Sequence, residues 1–182
     1  TQFGFLCLND VSQPTQLTAQ MANPLSHSFL WTPTNETTQS IDVTQNGTYT
    51  VTVTNNATSC SKTLDILVTG SEIATIQDID IVELSNNNSV EIIVTGSGDY
   101  VYSLDNEDGY QTSNLFENVT MGFHIVYIKD LKGCGVVEKE IAVHGVPQFF
   151  TPNGDGINDT WNIKGANDKF YSNSIIYIFD RF

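Results

Sequence analysis

The chain has 182 residues and carries 21 Asp and Glu against 7 Lys and Arg, a formal net charge of −14. So acidic a surface excludes nucleic acid and anionic membrane surfaces as expected partners, because both are held by basic patches. No apolar run is long enough for a membrane-spanning helix, so direct membrane insertion is not expected. Thr1 opens no signal-peptide pattern, and we read the start as internal to a longer protein.

The length fits one or two complete domains with residues to spare. Thr1–Val68 reads as all-β. Short apolar runs at Phe3–Leu8, Gln16–Ala19, Phe29–Trp31, Tyr49–Val53 and Leu64–Val68 are separated by turn clusters such as Ala22-Asn23-Pro24 and Gln45-Asn46-Gly47. Strands at about ten-residue spacing point to a sandwich. Tyr49, Val51 and Val53 alternate with Thr50, Thr52 and Thr54, which predicts one buried and one wet face.

Cys7, Trp31 and Cys60 stand in the order of the cysteine, tryptophan and cysteine of immunoglobulin-like sandwiches. Together with Thr38–Val43 and Gly47–Val53, they make this segment resemble the Ig-like and PKD-like modules of Bacteroidetes surface proteins. The resemblance implies a Cys7–Cys60 disulfide, which would close a loop of about fifty residues and contribute roughly 3–4 kcal/mol. The alternative is two free buried thiols. Cys134, between Gly133 and Gly135, is then left over, as a small turn residue or a reactive thiol.

A boundary is expected at Gly70–Ser71. Candidate strands then recur at Ile76–Leu84, Val90–Thr95, Tyr100–Leu104, Phe123–Ile128 and Val136–Val143. Tyr100–Asn106, Phe116–Val119 and Gly122–Asp130 resemble the repeats of gliding adhesins. Gly145-Val146-Pro147 reads as a second linker, since proline removes a ladder donor and fixes φ. The expected division is 1–70, 71–146 and 147–182.

Phe149-Phe150-Thr151-Pro152-Asn153-Gly154-Asp155-Gly156-Ile157-Asn158-Asp159-Thr160-Trp161 is the most specific stretch in the chain. Asn, Asp and Gly favour turns over regular structure, and Phe149, Phe150 and Trp161 offer core anchors around a rigid turn. A polar connection, Lys164–Ser174, leads to a strand at Ile175–Phe179, whose open edge would be adhesive. This stretch and the run Ile175–Phe182, which holds Tyr177, Phe179, Asp180 and Arg181, resemble the gliding-motility-associated C-terminal domain. That is the type B sorting domain of proteins exported by the Bacteroidetes type IX secretion system.

The resemblance covers about Pro147–Phe182 and implies a domain continuing past Phe182. The fold expected is thus two tandem Ig-like β-sandwich modules followed by the start of a truncated β-sandwich sorting domain. The implied role is a stalk plus a sorting or attachment signal on a protein secreted across the outer membrane to the cell surface. The implied partners are outer-membrane components of the secretion system, a PorP/SprF-like β-barrel and the translocon. Sorting residues would be Phe149, Phe150, Thr151, Pro152, Asn153, Gly154, Asp155, Gly156, Asn158, Asp159, Trp161, Tyr177, Phe179, Asp180 and Arg181. A competing reading is an adhesive surface module that binds glycan or protein.

The residues themselves raise two chemistries. Thr151–Asn162 aligns with a twelve-residue calcium loop, with ligands from Asn153, Asp155, the Ile157 carbonyl and Asp159. Thr151 and Asn162 depart from that pattern at its first and last positions. The alternative is an Asx turn capping backbone amides. No other cofactor is expected. Catalysis is not expected either: His27, His124 and His144 are scattered, and neither a Gly-x-Ser-x-Gly elbow nor a Cys–His pair is present.

Overall fold

Strand-forming Val, Ile, Thr and Tyr dominate the runs that pair in the computed structural model, which describes residues 2–10, 14–171, 175 and 177. The described residues are all-β apart from one short helix and one 3-10 turn. It divides into two compact units. The first comprises Thr1–Ala74, Gly96–Tyr100 and Lys129–Val136; the second comprises Thr75–Thr95, Val101–Ile128 and Val137 onward.

In the first unit, β1 (Gln2–Cys7), β3 (His27–Thr32), β5 (Gly47–Asn55) and β6 (Ser61–Ser71) form a sheet in the order β1-β6-β5-β3. A second sheet pairs β2 (Thr15–Thr18) with β4 (Ser40–Val43). The register puts Trp31, Val51 and Leu64 in one row across β3, β5 and β6, on the face that meets the small sheet. Trp31 is fully buried, and its indole N–H donates to the Thr38 carbonyl at 2.9 Å. A buried indole without that acceptor would carry a desolvation cost.

The second unit contains β7 (Thr75–Val82), β8 (Ser89–Thr95) and β10 (Leu115–Glu117) in the order β10-β8-β7. A further sheet runs β12-β11-β9, from β9 (Tyr100–Leu104), β11 (Gly122–Asp130) and β12 (Val136–Val143). Val90, Ile92, Val126, Ile128 and Val143 are the driest apolar side chains of this unit among the described residues. The alternation expected at Val90, Ile92 and Val94 holds through the first two residues; Val94 is only half-buried. β4 and β10 fall outside the expected strands; they are four and three residues long.

The implied Cys7–Cys60 bridge does not form. The disulfide joins Cys7 to Cys134, with Cα atoms 5.3 Å apart, and Cys60 is a free, exposed cysteine. The reason is register. β1 runs parallel to β6, and Cys7 lies opposite Ser71 at the far end of that strand. Cys60 sits in the turn before β6 begins, where its carbonyl accepts from the Asn55 amide. At about 3.3 Å per residue, the strand between Cys60 and Ser71 spans roughly 35 Å. A disulfide needs Cα atoms within about 7 Å.

Cys134 is set in place by a buried carboxylate. Asp130 is 1% exposed and accepts from the Ser71 hydroxyl at 2.9 Å and the Asp99 amide at 3.1 Å with one oxygen, and from the Cys134 amide at 3.0 Å with the other. Burial alone would push its pKa up. Hydrogen bonds from the Cys134 and Asp99 amides and the Ser71 hydroxyl outweigh it and leave Asp130 below the ordinary carboxylate value. A carboxyl lowered in this way stabilises the fold above its unfolded pKa, near 3.9, and the contribution is lost as pH falls through the folded value.

The bridge closes a loop with a sequence separation of 127 residues, which the chain-entropy treatment values at about 4–5 kcal/mol. Alkylation of the unreduced protein under denaturing conditions is expected to modify one thiol, at Cys60, and peptide mapping to recover Cys7 joined to Cys134. Recovery of a Cys7–Cys60 peptide would contradict the register.

Candidate recognition surface in the tail

Four attachments within the second unit hold the segment that follows β12. The His144 amide and Nδ1 reach the Glu83 carboxylate, each at 2.8 Å. Gly145 and Lys164 exchange two backbone hydrogen bonds, at 3.2 and 2.9 Å. The Trp161 indole N–H donates to the Pro147 carbonyl at 3.1 Å. The helix α1 (Asp168–Tyr171) brings Lys169 Nζ to Glu140 of β12 and the Phe170 ring to within 5.7 Å of Phe123 of β11.

Gly165, beside the Gly145–Lys164 bridge, has φ 77°, and a Cβ there would lie 2.5 Å from the Val143 carbonyl oxygen. Only glycine allows this approach.

Between these attachments, residues 149–161 form a loop held by its own polar atoms. The Thr151 amide donates to the Asn158 carbonyl at 2.7 Å, closing the loop neck. One oxygen of Asp159 accepts from the Asn153 and Gly154 amides at 3.0 and 2.7 Å; the other accepts from the Gly156 amide at 2.7 Å. Asp155 accepts from the Ile157 amide at 2.7 Å and from the Asn153 side-chain amide at 2.8 Å. Asn153 Oδ1 accepts from the Asp155 amide at 3.3 Å. Gly154 and Gly156 take φ 78° and 81°, and Asn158 takes φ 55°. These left-handed values aim successive amides inward at the Asp159 carboxylate.

The charges respond accordingly. The Asn153 side chain and the Ile157 amide hold Asp155 below the ordinary carboxylate range. The Gly154 and Gly156 amides do the same for Asp159. Of the expected calcium ligands, Asn153, Asp155 and Asp159 accept from amide hydrogens as described, and the Ile157 carbonyl accepts from the Thr151 hydroxyl at 3.3 Å. Among the described residues, no group of three or more His, Cys, Asp or Glu is arranged to hold a metal ion.

Phe149 and Phe150 do not serve as core anchors. They are 67% and 52% exposed, and Ile157 at the loop tip is 66% exposed. The hydrogen-bonded frame fixes the loop, so the aromatic rings are not needed for packing and face outward. Trp161 is the residue of the three that is partly buried. Thr151 and Pro152 are also exposed. Of the expected strand Ile175–Phe179, Ile175 and Tyr177 are exposed and outside regular structure. Ile176, Ile178 and Phe179, like Asp180 and Arg181, lie outside the described residues.

Sequence reasoning overlooked several residues that position this surface. His144 and Glu83, far apart in sequence, carry no local signal. Asn167 does: its Oδ1 accepts from the Lys169 and Phe170 amides, both at 3.0 Å, as an N-cap acceptor for α1. Asn before a short run of helix-compatible residues is a readable start signal.

The tail from His144 to Phe182 matches the family model described as the CHU_C Type IX secretion signal domain. The match supports a type IX sorting signal in this region, with the export and surface display that such a signal implies. A search of curated proteins gives no match. Among solved structures, the chain is similar to the N-terminal four Ig domains of Dscam1 isoform 6.9, with 13% identity and a TM-score of 0.38 over 79% of this chain and 43% of that one. It is similar to extracellular domains 3–5 of Drosophila OTK, with 13% identity and a TM-score of 0.43 over 78% and 58% of the two chains. It is also similar to IG1 and IG2 of DIP-gamma, with 11% identity and a TM-score of 0.36 over 80% and 95%. The chain spans about half the length of the first two. No helix among the described residues is long and apolar enough to cross a membrane.

Because Asp155 and Asp159 are held below their ordinary values, they support the loop above the unfolded carboxyl pKa, near 3.9, and that support is lost as pH falls through their folded values. Acid titration followed by ¹H–¹⁵N NMR is expected to move the Gly154 and Gly156 amides together with the Asp159 carboxyl, while Asp159→Asn disperses both amides at neutral pH. Unchanged Gly154 and Gly156 shifts in that variant would contradict the geometry.

Proposed function

We propose that residues 144–182 act as an address read at the outer membrane, and that the β-sandwich units ahead of them serve as a non-catalytic stalk. The observation that carries the reading is the loop at 149–161. Its backbone is locked from within by Asp159, yet it turns Phe149, Phe150 and Ile157 to solvent.

Exposed apolar side chains on a pre-ordered frame favour recognition by a partner, because little conformational entropy remains to be lost on binding. In this reading the partner is an outer-membrane component of the type IX system, a PorP/SprF-like β-barrel acting with the translocon. The contact surface centres on Phe149, Phe150, Pro152 and Ile157. The polar residues Asn153, Gly154, Asp155, Gly156, Asn158 and Asp159 hold it in shape. In this reading the loop takes its shape from the hydrogen bonds between its own carboxylates and amides.

The test is export. A fluorescent reporter is fused ahead of residues 144–182 and the parent protein's following sequence, in a type IX-secreting host. It is expected to reach the surface in the intact strain and to remain in the periplasm when the translocon is disabled. Doubling the change by Phe149→Ala and Phe150→Ala is expected to lower surface delivery at least severalfold. Periplasmic retention of the unmodified fusion in the intact strain would favour an adhesive module with no sorting role.

A further inference from the structure

The two sheets of the first unit differ in length. β2 and β4 have four residues each, whereas β5 has nine and β6 eleven. At about 3.3 Å per residue, the small sheet spans roughly 13 Å and β5 roughly 30 Å. The small sheet therefore cannot cover the whole inner face of the large one.

Burial follows that mismatch. Tyr49 and Val51 of β5 are buried, but Val53, two residues further on the same face, is only partly covered, as are Leu64 and Met21. The uncovered end forms a cleft of about 430 Å³, within the range of small-molecule sites, about 300–1,000 Å³.

Lys62 sits opposite Val53 in the β5–β6 register, in phase with the inward residues Leu64 and Ile66. A lysine thus stands at a position whose neighbours along the strand face the core, and it reaches solvent because the small sheet has ended. No Asp or Glu lines this cleft, in a chain with three times as many acids as bases. His27 also lines the cleft, with Nδ1 near the Asn23 carbonyl at 3.0 Å and the Ser26 hydroxyl at 2.9 Å, and Nε2 near the Asn55 side chain at 3.4 Å. The cleft therefore grades from an apolar floor at Val51, Val53 and Leu64 to a mouth with one fixed positive charge.

We propose that this cleft binds a small amphiphile with an apolar tail and a carboxylate head. The tail lies on Val53 and Leu64 beneath Met21, and the head meets Lys62. The charge complementarity is local and opposite in sign to the protein as a whole, which disfavours anions everywhere else on the surface.

Octanoate and its uncharged counterpart octan-1-ol serve as probes, titrated into the whole chain by calorimetry. Octanoate is expected to bind at one saturable site with a Kd of about 0.1–1 mM. Octanol is expected to bind about two- to fivefold more weakly, the contribution of a partly exposed ion pair. Lys62→Gln should bring octanoate to the octanol value and leave octanol unchanged. Val53→Trp fills the floor and should abolish both. Because that variant also enlarges a side chain between the sheets, ¹H–¹⁵N shift changes on the unmodified chain give an independent reading and should centre on Val53, Lys62 and Leu64. No saturable binding, equal affinity for the two probes, octanoate binding unaffected by Lys62→Gln, or shifts centred elsewhere would each overturn the proposal.

Discussion

Asp159 carries one negative charge and receives hydrogen bonds from three backbone amides, those of Asn153, Gly154 and Gly156. The display of the tail depends on that convergence. Amides pointing the same way repel one another and need an anion at their focus. Two glycines and Asn158 supply the left-handed backbone that brings them there. With the backbone held by a carboxylate instead of a hydrophobic core, the apolar side chains of the loop are free to face a partner. His144 ties the segment to Glu83, and Lys169 and Phe170 tie it to β12 and β11, while the Gly145–Lys164 and Trp161–Pro147 bonds close the segment on itself.

A second carboxylate performs a comparable task in the first unit. Asp130 gathers the Ser71 hydroxyl and the Asp99 and Cys134 amides in a nearly dry environment. It thereby presents Cys134 to Cys7, and the covalent bond ties the turn after β11 to the end of β1. Both sites follow one physical rule: an acidic residue becomes a structural anion where amides converge. An acidic chain has many candidates for that role, and among the described residues Asp130 and Asp159 each gather two or more backbone amides.

Much of the sandwich was legible because period-2 alternation is a local property. Tyr49 and Val51 are buried between half-buried or exposed threonines, as alternation requires. The turn at Asn153–Gly156 was equally legible, since its residue types have few other uses. The disulfide was not. The order of Cys7, Trp31 and Cys60 matches a familiar sandwich, but pairing depends on which end of β6 meets β1, and a parallel register is invisible to residue spacing. The exposure of Phe149 and Phe150 was also hidden, because an aromatic residue reads the same whether it anchors a core or serves a partner. Spacing places Asp159 at a calcium-ligand position; that it also accepts from backbone amides shows only when Gly154 and Gly156 are placed.

The central claim is that the 149–161 loop itself touches the export machinery. The most direct measurement is site-specific photo-cross-linking during export, with a photoreactive residue at Phe149 and, as control, at Leu25, which is 99% exposed in the first unit. The account predicts an adduct with an outer-membrane protein from position 149 and none from position 25. An adduct from position 25 without one from position 149 would contradict it.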